Sequence, residues 1–70
     1  MYSLWWVKPH QKVKEFHGSF DTVEDAMQSI KNWWDKNDFR PPYYRLTDYG
    51  NSVEIDYGCH HCFYEIKEGL

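Results

Sequence analysis

Residues 21–36 read DTVEDAMQSIKNWWDK, and they decide the fold. Val23, Ala26, Met27, Ile30, Trp33 and Trp34 recur at i, i+3, i+4, i+7, i+10 and i+11, one apolar stripe on a 3.6-residue period. Glu24, Asp25, Gln28, Lys31, Asn32 and Asp35 fill the remaining face as a solvated surface. Asp21 or Thr22 can cap the start, and each has an acid three residues later, the spacing at which the two ends of the first turn satisfy each other. Asn37 suits a left-handed exit, and Pro41 and Pro42 prevent continuation. The pattern predicts a helix over about residues 22–36. Trp33 and Trp34 lie about 100° apart on it. Both are expected in the core at the edges of the stripe, one of them partly exposed near the proline loop.

Beyond the prolines the period falls from 3.6 to two. Residues 43–49 and 52–57 read as strands around a two-residue turn, Gly50 and Asn51. Residues 58–61 make a short loop, and residues 62–67 alternate again as a last strand. Ahead of the helix, residues 2–7 read as a strand broken by Pro9, and residues 12–17 as a short returning strand. The order is β-(β)-α-β-β-β. This is an α+β class chain, a single domain over residues 1–70, with a small antiparallel sheet of three to five strands and one amphipathic helix on one face.

Strand alternation then sorts the side chains. Leu4, Trp6, Tyr44, Leu46, Val53, Ile55, Tyr57, Tyr64 and Ile66 are predicted to meet the helix, and Trp33 joins them from the stripe. Trp5, Tyr43, Arg45, Tyr49 and Phe63 fall on the other side, among Thr47, Glu54, Asp56, Glu65 and Lys67. One helix covers one face of a sheet. The second face is therefore the expected binding surface, with Trp5, Tyr43, Arg45, Tyr49 and Phe63 as its candidate residues.

Composition narrows what such a surface binds. Fourteen of 70 residues are aromatic, too many for a disordered chain. Mean hydropathy is −0.86, and no stretch approaches the ~20 apolar residues of a membrane-spanning helix. Net charge is −3, and Lys8, Lys12 and Lys14 are the one basic cluster, so duplex nucleic acid is not an expected partner. Base stacking by single strands is disfavoured by Glu54, Asp56 and Glu65 on the same face. Trp, Tyr and Arg are the residues that dominate protein–protein contacts, so a protein partner or a second copy of the chain is expected. The first seven residues lack the charged start and cleavage site of a secretory leader. The expected location is the cytoplasm, with Cys59 and Cys62 as reduced thiols, and the expected setting a bacterial or phage accessory protein.

Cys59-His60-His61-Cys62 is the one segment with ligand chemistry. Cys-x-x-Cys is half of many structural zinc sites, so Cys59, His60, His61 and Cys62 are weak metal candidates; of the other histidines only His10 and His17 remain, with six residues between them. A redox role is disfavoured, because a strand pattern follows where a reactive pair needs a helix N-terminus. Oxidation could close a disulfide across the hairpin. Gly58-Cys59-His60-His61 before an apolar strand also resembles, over four to six residues, the Gly-Ser-His-His hairpin of the HicA-type messenger-RNA interferases. That resemblance implies His60 or His61 as general base, with Cys standing where the family has Ser. No phosphate loop, nucleophile elbow or set-apart carboxylate pair is present. The expectation is a non-catalytic binding module without a cofactor. The alternative is a metal-binding or nucleic-acid-processing protein centred on the Cys/His hairpin.

Overall fold

The computed structural model describes residues 1–59 and 61–69. It contains five strands, β1 (Tyr2–Lys8), β2 (Val13–Phe20), β3 (Arg45–Asp48), β4 (Ser52–Asp56) and β5 (Phe63–Glu68), and one helix, α1 (Val23–Lys36). All strand pairs are antiparallel, in the order β2-β1-β5-β4-β3. The two edge strands, β2 and β3, are consecutive in sequence, and α1 carries the chain from one edge to the other across a single face.

The helix begins where the sequence predicts. Thr22 is extended, and its Oγ1 accepts from the Asp25 amide at 3.0 Å. At the other end the Asn37 amide (3.1 Å) and side chain (2.8 Å) both donate to the Trp33 carbonyl. The left-handed residue is Asp38, at φ 55°, one position later than expected.

β1 and β2 are joined by a 3-10 turn at Pro9–Gln11, closed by Lys12 at φ 53°. β2 runs three residues past the predicted residue 17. It does so through a bulge: Leu4 pairs with Gly18 and Trp5 with Phe16, leaving His17 as the extra residue. Gly18, at φ 124°, supplies a conformation that side-chain-bearing residues rarely adopt.

The core forms where α1 meets the sheet. Leu4, Ile30, Ile55 and Ile66 are fully buried, surrounded by Ala26, Met27, Trp34, Tyr57, Cys62 and Tyr64. Register explains the set, because Leu4 lies opposite Ile66, and Tyr64 lies between Trp6 and Ile55. Trp6 and Val53 pack at its margin.

Three residues assigned to the core are exposed: Tyr44 (43%), Leu46 (47%) and Trp33 (49%). The helix backbone approaches β1 and β2 most closely, so β3, at the far edge, lies outside its cover. Leu46 faces the helix side beside buried Ile55, with no helix above it. Tyr44 leans on Trp34 at 5.8 Å and takes Lys31 over its ring at 5.4 Å. Of the adjacent tryptophans only Trp34 turns inward. No helix of the described residues is long and apolar enough to cross a membrane.

Candidate functional site

The uncovered face of the sheet carries three rows of side chains. The first runs Phe16, Trp5, Glu65, Glu54, Thr47 from β2 to β3. The second contains Lys14, Val7 and Phe63, then Asp56 opposite Arg45. The third runs Ser19, Ser3, Lys67, Ser52 and ends at Tyr49, whose amide bonds the Ser52 carbonyl at 2.8 Å across the Gly50-Asn51 turn.

Trp5, Tyr43, Arg45, Tyr49 and Phe63 therefore do not form one cluster. Trp5 and Tyr49 stand three strand spacings apart, roughly 14 Å. Trp5 sits against Phe16, ring centroids 5.0 Å apart, under the Lys14 ammonium at 4.9 Å, and its indole N–H donates to Ser3 Oγ at 3.0 Å. Phe63 is half-buried beside Val7. Tyr43, which is exposed, receives the Arg45 guanidinium at 5.5 Å from its ring centroid. Phe16 belongs to this face too; its alternation with Lys14 in residues 12–17 is the signal that would have found it.

Between the aromatic groups lie Glu54 and Glu65, directly opposite each other on β4 and β5. Like charges in that position destabilise a sheet. Lys14 reaches Glu65 at 3.2 Å, but the Glu65 Oε1 contact lacks the direction of a hydrogen bond.

The helix side holds a second feature that the sequence reading missed. Beyond the last turn of α1 a groove of about 640 Å³ opens between the helix end and the sheet. Trp6, Tyr57 and Tyr64 form its floor, Trp33 and Trp34 its helix wall, and Phe39 and Pro42 its loop wall. The tyrosine rings tilt together at 5.3 Å, and Trp34 lies 5.6 Å from Tyr57 and 6.1 Å from Tyr64. Burial, reinforced by the neighbouring Tyr57, pushes the Tyr64 hydroxyl up to about 12. The bulge in β2 aims His17 to this side, edge-on to Trp33 and Tyr64. Its Nε2 lies 3.2 Å from Glu15 Oε1 without hydrogen-bond direction. The clue in the sequence is the pair Trp33-Trp34, too wide for one stripe.

Cys59 and Cys62 are joined in a disulfide, against the expectation of free thiols. Their Cα atoms are 5.5 Å apart, within disulfide range. Cys59 borders the groove, and Cys62 is buried in the core. The Trp6 indole donates to Tyr57 Oη at 3.1 Å, and Tyr57 Oη lies 2.8 Å from Cys62 Sγ. A disulfide sulfur has no proton, so the tyrosine O–H is the donor there. His61 is exposed, with the His10 ring 5.8 Å away. His60, named both as ligand and as general base, lies outside the described residues. Among the described residues no three His, Cys, Asp or Glu side chains converge as a ligand set.

Comparison with protein-family models, with curated proteins and with solved structures gives no match to this chain.

Proposed function

We propose that this chain is a small non-catalytic binding module that acts through the open face of its sheet on a protein partner or a second copy of itself, in the cytoplasm, where Cys59 and Cys62 would stand reduced. The observation that carries this reading is the Glu54–Glu65 pair, held side by side between the Trp5–Phe16 and Tyr43–Arg45 groups. Lys14 already meets Glu65, so a basic side chain from a partner would act on Glu54, easing what remains of the repulsion while the flanking rings lose water. The face itself offers Lys67 and Arg45 beside these acids, so two copies docked face to face can exchange such contacts. The second copy is the first partner to test.

The experiment replaces Tyr43, Tyr49 and Phe63 together with Ser, in parallel with Glu54→Lys. Elution volume is followed across a concentration series, and partner capture is measured with the purified protein as bait. Loss of self-association or capture, with circular dichroism unchanged, supports the reading. Unchanged elution and capture in both variants refute it.

A second reading rests on the approach of His10 to His61. With the disulfide intact no three of the described side chains Cys59, Cys62, His61 and His10 converge, but reduction would free two thiolates beside the His10 and His61 imidazoles, the donor types of a tetrahedral zinc site. Elemental analysis of protein purified under reducing conditions, with a His10→Ala control, decides it; absence of stoichiometric zinc ends this reading.

A further inference from the structure

From the groove at the end of α1 we infer a second binding site, for an organic cation: a compact apolar body carrying a quaternary or methylated ammonium. It is separate from the sheet face, on the opposite side of the same strands.

Ring faces carry the negative part of the aromatic quadrupole, and cations bind over them best when several rings converge. Here Trp6, Trp33, Trp34, Tyr57 and Tyr64 converge on one groove, with Phe39 closing its loop side. The volume, about 640 Å³, falls in the range of small-molecule pockets. Charge agrees with the rings. Glu15 is the carboxylate among the lining residues, and no lysine or arginine is among them. The groove also opens at the C-terminal end of α1, the negative end of the helix dipole.

The chain already uses its rings in this way. Four Lys or Arg side chains lie over aromatic rings, 4.9 to 5.5 Å from their centroids. One of them, Lys8, places its ammonium 5.2 Å from the centroid of Trp6, a ring of the groove itself. His17 Nε2 adds a buried polar atom with no directed hydrogen bond at the Glu15 end. Neutral apolar ligands would find the same rings, so the charge is what the test must isolate.

The full chain is titrated with 3-hydroxyphenyltrimethylammonium and with its uncharged isostere 3-tert-butylphenol, following the indole N–H resonances of the four tryptophans. The cation is expected to shift Trp6, Trp33 and Trp34 with a Kd of about 0.1–1 mM, and the isostere to bind about tenfold more weakly. Glu15→Gln, on an exposed side chain, should weaken the cation about threefold or more and leave the phenol unchanged. Trp33→Ala should weaken both. Equal affinity for the two probes, indifference to Glu15→Gln, no binding at ~10 mM, or shifts centred on Trp5 would each overturn the inference. Shifts centred on Trp5 would place the cation on the sheet face; the other three outcomes leave the reading of that face untouched.

Discussion

Ile55 and Leu46 make an internally controlled test of where the core ends. They are direct partners on β4 and β3, on the same side of the sheet, and truncation to Ala removes three carbons from each. Ile55 is 0% exposed; Leu46 is 47% exposed. For Ile55→Ala the lost transfer energy is about 2.4 kcal/mol at ~0.8 kcal/mol per methylene. A residual cavity between Tyr64 and the helix brings the total to about 3–4 kcal/mol. For Leu46→Ala only about half of the transfer term applies, and the site opens to water, so no cavity forms; about 1 kcal/mol is expected. A 70-residue domain has roughly 4–10 kcal/mol in hand, so Ile55→Ala leaves a marginal fold. Urea unfolding followed by tryptophan fluorescence reads this directly. With m near 1 kcal/mol/M, Ile55→Ala should lower the midpoint by about 3 M and Leu46→Ala by about 1 M. Equal losses at the two positions would mean that α1 also covers β3, and the account of the exposed edge would fall.

Two further perturbations probe the groove's framework. Tyr64 is buried neutral, with its hydroxyl raised to about 12, so the stability it contributes is fully present below pH ~10 and is lost as the pH rises toward 12. The loss is on the order of 2 kcal/mol, and Tyr64→Phe should flatten that part of the alkaline decline in urea midpoints; a Phe variant that declines like the parent would refute it. Reduction of Cys59–Cys62 releases a four-residue loop, worth about 2 kcal/mol of chain entropy. Dithiothreitol should lower the melting temperature with far-ultraviolet dichroism unchanged, and wholesale unfolding on reduction would contradict this.

Much of this architecture is legible in the sequence because two local periods dominate it. The helix, the Gly50-Asn51 turn and the succession of elements along the chain follow from stripes and alternation that tertiary packing then leaves alone. What alternation assigns is a side of the sheet, and that assignment holds for Leu46 and Tyr44. It does not say how far sideways a single helix reaches, and on that point both residues depart from their expected burial. β2 is under-read for a different reason: Gly18 punctuates the pattern like a turn, whereas here it serves a bulge inside a strand. The disulfide depends on the backbone path after Gly58, which spacing alone does not determine. Of the candidate face, the side on which each residue lies is legible, but their grouping is not, because it depends on which strands become neighbours. β1 inserts beside β5, bringing Trp5 next to Glu65 and leaving Tyr49 at the far corner.

The same insertion explains why so many aromatics do not collapse into one core. Trp5 and Trp6 are adjacent on β1, a strand flanked on both sides, so they must point to opposite faces. Trp6 reaches Tyr57 and the groove, while Trp5 reaches Phe16 and Lys14. The helix can bury only the first set, and even that set exceeds what its last turn covers, leaving Trp33 half in water. A shorter helix stripe or a smaller residue at position 33 would close the structure with less exposed ring area. Trp33→Ser should leave the four fully buried aliphatics in place: Leu4 and Ile30 border the same cavity as that ring, but Trp33 itself is 49% exposed. If it instead unfolds the protein, Trp33 is part of the core after all, and the groove is a packing defect, not a site.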